Sequence, residues 1–258
     1  NPKPPETSRF VGVPAGSARP EVGAGLAGAF QSDRVGGDDQ PGGWGYNILP
    51  YLEQQALHDL ALGKTGSAKD AAIGASMNTP LAVYHCPSRR RAVLRPTRHV
   101  YRNAPGVTEC SKTDYAACSG DVHCVIFGPT SLAQADAWDQ LPLSTTCGGR
   151  GDAWIDTAGL GLNGICYHRS TVTMAAVRDG SSNTLMVGEK YLDPLHYEDG
   201  LTGGDNHGPF PGTNHDDCRW TKTDMVHLPR QDRPGLDYTE NFGSAHAAGF
   251  HVALCDGS

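Results

Sequence analysis

The stretch FGSAHAAGFHVALCDGS, residues 242–258, is the part of the chain that decides the fold. From Phe250 to Cys255 large apolar side chains alternate with smaller or polar ones, a period of two that predicts a half-buried β-strand. The Asp256-Gly257 pair that follows is typical of a type I′ hairpin turn, and we expect the Asp256 carboxylate to cap this turn by accepting backbone N–H groups. A strand returning from the turn would have to come from residues beyond Ser258 or from another segment.

Four other segments accompany this C-terminal stretch. They are GGWGYNILPYLEQQALHDL (residues 42–60), LAVYHCPSRR (81–90), TDYAACSGD (113–121) and VRDGSSNTLMVGEK (177–190). With the H-x9-DG frame of His246, Asp256 and Gly257, they resemble the domain of unknown function 1559 family. These are planctomycete pseudopilin-like secreted proteins, formerly called bacterial solute-binding protein family 10.

The resemblance implies an α+β fold of the type IV pilin or pseudopilin kind, in which a helix packs on an antiparallel sheet. It also implies an extracellular, cell-surface or periplasmic location, behind a prepilin leader and a long apolar N-terminal helix. The chain begins NPKPPETSRF and contains no run of about eighteen apolar residues. We therefore expect a soluble head whose membrane contact would run only through an N-terminal helix absent from this chain.

Periodicity and turn residues predict two regions. Residues 1–43 are rich in Pro, Gly and Ala and are expected to be extended, whereas residues 44–258 form the head, with a long loop insertion at about 87–165. Helices are predicted at Pro50–Leu62 and about Ser67–Met77. Strands are predicted at Leu81–Cys86, Ser170–Ala175, Thr184–Glu189 and Phe250–Cys255.

The cysteines indicate an oxidising compartment. There are eight of them and no C-x2-C pair, which disfavours zinc ribbons and c-type haem and favours disulfides that tie the long loops. For Cys86 and Cys255, buried free thiols are the alternative. The disulfide candidates are Cys86, Cys110, Cys118, Cys124, Cys147, Cys166, Cys218 and Cys255.

The segment from Tyr191 to His227 is crowded with Asp, Asn and His and is the predicted place for chemistry. Oxygen ligands in a Gly-rich loop favour Ca²⁺, and the candidate ligands are Asp205, Asn206, Asp216 and Asp217. The interleaved imidazoles would also suit Zn²⁺ or Cu²⁺, and an ordinary solvated loop is the further alternative. His246 is expected either to ligate a metal with Asp256 or, preferably, to bond a backbone carbonyl at the strand entry.

The net charge of −7 and a pI near 5.8 exclude a global field that would gather nucleic acid. The basic cluster at 89–98 is interpreted as a solvated loop or as a site for a sulfated or carboxylated polymer. Nucleophile-elbow, phosphate-loop and dinucleotide motifs are absent, so no nucleotide cofactor is expected.

We therefore expect a non-catalytic structural or interaction protein that contacts other pilin-like subunits or cell-surface proteins. The alternative is a binding module for a polysaccharide or other solute, with Trp44, Trp138, Trp154 and Trp220 as sugar-stacking candidates. A hydrolase ranks behind both.

Overall fold

The computed structural model describes residues 43–98, 100–101, 104–122, 161–167, 170–211, 214–222 and 227–258, together with four two-residue strands at 10–11, 26–27, 143–144 and 154–155. It is an α+β structure with few helices, and among the described strands four pairs are antiparallel and four are parallel. Most of residues 1–43, which were predicted to be extended, lie outside the described residues. Much of the predicted loop insertion at 87–165 lies outside them as well.

The helices are short. The α-helices are α1 (Trp44–Asn47), α2 (Gln55–His58) and α3 (Gly66–Met77). The 3-10 helices are Leu49–Leu52, Ala82–Tyr84, Met174–Ala176, Ser181–Asn183 and Pro194–His196.

The strands are β1 (Phe10–Val11), β2 (Leu26–Ala27), β3 (Arg95–Pro96), β4 (Val100–Tyr101), β5 (Glu109–Cys110), β6 (Tyr115–Cys118), β7 (Leu143–Ser144), β8 (Trp154–Ile155), β9 (Thr171–Val172), β10 (Leu185–Glu189), β11 (Cys218–Arg219), β12 (Arg230–Gln231), β13 (Gly243–Ser244) and β14 (Val252–Leu254).

The predicted helix at Pro50–Leu62 is wrong in form. Pro50 lies in the first turn of the 3-10 helix Leu49–Leu52, and Glu53 after it has a left-handed φ of 60° that breaks the helix. The chain then restarts as α2, and the Tyr46 hydroxyl donates to the His58 carbonyl at 2.6 Å. The second predicted helix is confirmed as α3, which buries Ile73 and Met77.

The predicted strand at Leu81–Cys86 is also wrong. Tyr84, His85 and Cys86 are buried in succession, whereas a half-buried strand would alternate. The Tyr84 hydroxyl donates to the Gly45 carbonyl at 2.5 Å, and the His85 ring bonds the Leu81 carbonyl at 3.0 Å. These long-range and local bonds favour the 3-10 turn at Ala82–Tyr84 over an extended segment.

The central sheet has the strand order β11-β6-β10-β14. The β6–β10 and β10–β14 pairs are antiparallel and the β11–β6 pair is parallel, so the sheet is mixed. The predicted strands at Thr184–Glu189 and Phe250–Cys255 are confirmed as its neighbours β10 and β14. Of the strand predicted at Ser170–Ala175, only the two residues of β9 pair with another strand, and a 3-10 turn follows.

The reversal at Asp256-Gly257 is confirmed, although its type differs. Gly257 has a φ of 88° and its N–H donates to the Leu254 carbonyl at 2.9 Å, but Asp256 does not have the positive φ that a type I′ turn requires. The Ser258 N–H donates to the Asp256 carboxylate at 3.0 Å, as the capping prediction stated. The Leu254 N–H reaches the Ser258 carbonyl at 2.8 Å, which starts a hairpin return.

One hydrophobic core joins the helices and the sheet. Its buried side chains include Ile73 and Met77 of α3, Ala116 and Ala117 of β6, and Phe242 ahead of β13. Gly188 of β10 makes room for the Phe242 ring, because a Cβ atom at position 188 would lie only 3.0 Å from it. Within the described part of the chain, no helix is long and apolar enough to cross a membrane.

Candidate functional site

Three segments that are far apart in the sequence meet at one partly buried point. Cys86 follows the turn at Ala82–Tyr84, Glu189 ends β10, and His246 follows β13. The Cys86 Sγ atom lies 3.5 Å from His246 Nε2, and Glu189 Oε1 lies 3.3 Å from the same nitrogen. Among the described residues, these three form the group of His, Cys, Asp and Glu side chains whose ligand atoms all lie within 4.8 Å of one another.

Backbone hydrogen bonds position each of the three residues. The Cys86 N–H donates to the Asp114 carboxylate at 2.8 Å, and the His246 N–H donates to the Ser244 hydroxyl at 3.0 Å. The Glu189 N–H donates to the His251 carbonyl at 3.0 Å, and the His251 N–H donates back to Glu189 Oε2 at 2.7 Å. The site is therefore built on the sheet and on the turn that precedes it.

The site is buried on one side and exposed to solvent on the other. Cys86 and Glu189 are buried, while the side chains of His246 and His251 are 29% and 77% exposed. Burial, and then the nearby Glu189, raises the pKa of the Cys86 thiol. Burial opposes the charged form of Glu189, but the hydrogen bond from the His251 backbone and other contacts outweigh it and lower its pKa.

The geometry does not suit a cysteine nucleophile. A nucleophilic thiol needs a lowered pKa and a base that is oriented through its second ring nitrogen, but here the thiol pKa is raised. Glu189 also contacts the same His246 nitrogen as the thiol does, so it cannot orient the ring in a relay. A thiol, a carboxylate and an imidazole that converge on one point are instead a set of potential metal ligands.

His246 therefore has neither of the partners predicted for it. Its side chain contacts Cys86 and Glu189, whereas the Asp256 carboxylate is exposed and bonded to Ser258. Sequence reasoning missed Glu189 altogether. The available signal was that Cys86, Glu189 and His246 each lie in a segment that carries the family resemblance.

The predicted calcium ligands are engaged with protein groups. Both Asp205 oxygens bond Arg90, at 2.5 and 2.9 Å, and Lys190 Nζ lies 3.2 Å away. The Asp216 and Asp217 carboxylates accept the backbone N–H groups of His207 and Asn214, at 2.7 and 2.9 Å.

Calcium was predicted because these carboxylates would repel one another unless they were neutralised. Arg90 and Lys190 pair with Asp205, and burial raises the pKa of Asp216 to about 6 and that of Asp217 to about 8. Asn206 contributes its backbone carbonyl to the Thr97 hydroxyl at 2.9 Å. Calcium binding by the four residues stays a prediction.

Three arginines of the basic cluster at 89–98 are buried, which corrects both interpretations for them, whereas Arg91 and Arg98 are exposed. Arg89 pairs with Asp232 at 2.9 Å, Arg90 pairs with Asp114 at 2.8 Å, and Arg95 pairs with Glu198 at 2.9 Å. These arginines cross-link the interior and are not displayed to a polymer. Consecutive arginines in the sequence did not indicate this role, because the partners lie far along the chain.

The disulfide prediction is not confirmed for the six cysteines that the structure describes. All six are buried and unbonded, namely Cys86, Cys110, Cys118, Cys166, Cys218 and Cys255. The Sγ atoms of Cys166 and Cys218 approach to 3.9 Å, which exceeds the S–S bond length of about 2.05 Å. Cys124 and Cys147 lie outside the described residues.

The comparisons place the chain in a family but not beside a characterised protein. Residues 22–258 match the family model SBP_bac_10, described as a protein of unknown function (DUF1559). The chain belongs to this family, as the C-terminal frame and the accompanying segments predicted. Neither the curated proteins nor the solved structures contain a significant match.

Proposed function

We propose that this chain is a non-catalytic structural and interaction head of the pilin-like kind, displayed at the cell surface or in a filament. One observation carries the proposal: residues from the family-defining segments contact one another inside the fold. Cys86, Glu189 and His246 converge, and Asp256 caps its own turn. Motifs used in this way hold the scaffold together.

The segment 49–63 is the surface we assign to contact with the next subunit. It buries Leu49 and Leu57 in the core but presents Tyr51 and Leu62, which are 80% and 50% exposed. Aromatic side chains are enriched at protein interfaces and often dominate their binding energy. An exposed tyrosine beside the core helices is therefore suited to a contact between copies of this chain.

Photo-crosslinking tests this assignment in the cells that make the protein. A crosslinking amino acid at position 51 should join two copies of the chain, and Leu62→Ser should weaken that crosslink. The same amino acid at Leu195, which is 64% exposed outside the segment, is the matched control and should give little crosslinking. Failure to crosslink at position 51, with a monomeric sedimentation coefficient at high protein concentration, would contradict the proposal.

The alternative, a ligand-binding module, loses two of its sugar-stacking candidates. Trp44 and Trp220 are buried, and the Trp44 ring N–H donates to the Asp217 carbonyl at 2.7 Å. Trp138 and the Trp154 side chain lie outside the described residues. Without an exposed aromatic platform at the first two positions, stacking on a sugar cannot occur there.

A separate pocket supports a different ligand for this alternative. It has a volume of about 280 Å³, and Arg230 stacks over Tyr238 at 4.1 Å on its wall. The lining residues are Arg230, Gln231, Arg233, Leu236 and Tyr238. Such a lining suits an anionic group, so retention on a carboxylated polysaccharide that is lost in Arg233→Ala would favour the binding module.

We also propose secretion to an extracellular, cell-surface or periplasmic location, with disulfides formed there. The support is the family membership and the even cysteine count. Cell fractionation of the intact protein, with thiol counting before and after reduction, tests both parts. Recovery in the cytoplasm with all eight thiols free would contradict both.

A further inference from the structure

The point where Cys86, Glu189 and His246 meet has the dimensions of a metal site. We propose that these three side chains bind one divalent transition-metal ion, with Zn²⁺ as the preferred ion. The ion would join the turn after Ala82–Tyr84, strand β10 and the H-x9-DG segment. This inference goes beyond the proposed function, because it assigns a ligand and a site whatever the head contacts.

The measured separations agree with tetrahedral coordination. Zinc binds thiolate sulfur at about 2.3 Å, imidazole nitrogen at about 2.0–2.1 Å and carboxylate oxygen at about 2.0–2.2 Å. At the tetrahedral angle these bonds place sulfur and nitrogen about 3.6 Å apart, and nitrogen and oxygen about 3.4 Å apart. The corresponding distances are 3.5 Å from Cys86 to His246 and 3.3 Å from Glu189 to His246.

An unsatisfied buried oxygen is the second observation. Glu189 is 0% exposed, and its Oε1 atom makes no hydrogen bond of normal geometry with any described residue, although it faces His246 Nε2 at 3.3 Å. A buried carboxylate oxygen without a well-formed hydrogen bond is costly, and buried charges are normally paired or bound to metals. Because Oε1 faces the Cys86 thiol and the His246 ring, a cation between the three atoms would remove that cost.

The chemistry of the ligands selects the class of metal. One sulfur, one nitrogen and one oxygen suit a borderline ion such as Zn²⁺ and do not suit Ca²⁺ or Mg²⁺, which prefer oxygen ligands. The other carboxylate oxygen, Glu189 Oε2, is held by the His251 N–H and faces the His251 ring at 3.3 Å. This contact orients the carboxylate, and water on the exposed side of His246 would complete four ligands.

Cobalt substitution tests the site, because Co²⁺ bound to a thiolate absorbs strongly in the near ultraviolet. Protein stripped with a chelator and kept reduced with a phosphine should bind about one equivalent of Co²⁺ and show this band together with the visible bands of a tetrahedral site. Zn²⁺ should displace the cobalt. Zn²⁺ should also raise the melting temperature of the unaltered protein and leave that of Cys86→Ser unchanged.

Variants distinguish this site from the other thiols. Cys86→Ser should lose the near-ultraviolet band, and Glu189→Gln and His246→Gln should weaken binding at least tenfold. Cys166→Ser and His196→Gln, which alter a buried thiol and a carboxylate-paired imidazole elsewhere, are controls that should keep both the band and the affinity. A band that survives Cys86→Ser but disappears in Cys166→Ser would overturn the proposal.

X-ray absorption of the zinc-loaded, unaltered protein gives a test that does not depend on variant folding. The expected shell contains one sulfur at about 2.3 Å and nitrogen or oxygen neighbours at about 2.0–2.2 Å. A shell with two or more sulfurs, or with none, would overturn the assignment. Absence of stoichiometric binding would do the same, whereas the subunit contact at Tyr51 would be unaffected.

Discussion

Replacing Asp217 by asparagine should stabilise the protein at neutral pH, because the fold holds this carboxyl in its neutral form. Asp217 is 2% exposed, and its Oδ1 atom accepts the Asn214 N–H at 2.9 Å. Its Oδ2 atom accepts no hydrogen bond from any described residue. Burial raises the pKa of this carboxyl to about 8, so it is protonated at neutral pH and an amide is close to its isostere.

The sign and size follow from proton linkage. Because the folded pKa of about 8 lies above the ordinary aspartate value of 3.8, the folded protein keeps a proton that the unfolded chain releases. The contribution of Asp217 to the free energy of unfolding is therefore fully present below pH 3.8. It falls by about 1.4 kcal/mol per pH unit as the pH rises towards 8. Between pH 5 and pH 7 this one group lowers the free energy of unfolding by about 3 kcal/mol, and Asp217→Asn removes that loss.

Urea unfolding in the presence of a chelator measures the effect at pH 5, 6 and 7. The gain in unfolding free energy for Asp217→Asn over the parent should grow with each step in pH. The contrast is Asp205→Asn in the same loop, which leaves Arg90 and Lys190 without their shared carboxylate and should destabilise by about 3–5 kcal/mol. Parallel pH curves for Asp217→Asn and the parent, or a loss of stability at pH 7, would refute the reasoning.

Three further predictions concern other parts of the molecule. Calcium added to chelator-treated protein should raise its melting temperature, and Asp216→Ala combined with Asp217→Ala should abolish that rise; equal melting curves with and without calcium would remove the calcium site. Oxidised glutathione should form a disulfide between Cys166 and Cys218 first, which peptide mass spectrometry would detect. Because this disulfide closes a loop of 52 positions, it should raise the free energy of unfolding by about 4 kcal/mol. Gly164→Ala should destabilise the protein by about 3 kcal/mol in urea unfolding, because the added Cβ atom would lie 2.1 Å from the Ser119 carbonyl carbon. An unchanged unfolding midpoint would refute this close contact.

Local patterns in the sequence determined several elements of the fold. The apolar alternation ahead of Asp256-Gly257 predicted β14 and its reversal, and the same kind of pattern predicted β10. The segment that ends before Pro80 predicted α3. The C-terminal frame also identified the family, because a rare spacing of a few residue types can be read without knowledge of tertiary contacts.

Tertiary contacts decided what the local patterns predicted wrongly. Leu81–Cys86 has the composition of a strand, but bonds from Tyr84 to Gly45 and from His85 to Leu81 hold it as a turn. The helix expected from Pro50 is broken at Glu53, where the left-handed backbone allows a second short helix to bury Leu57. Local preferences are worth less than a kilocalorie per mole for most residues, so burial and long-range hydrogen bonds overrule them.

From the sequence alone, His246 and Cys86 were placed in the most informative segments. Their shared partner, Glu189, was not predicted. Only the pairing of β10 with β14 and the turn before Cys86 bring Glu189 to the same point. The arginines at 89 and 90 likewise read as a surface cluster until their carboxylate partners were placed beside them. Charge and spacing along the chain specify which groups are present, whereas the distances that make them a site or an ion pair exist only after residues more than 100 positions apart are packed together.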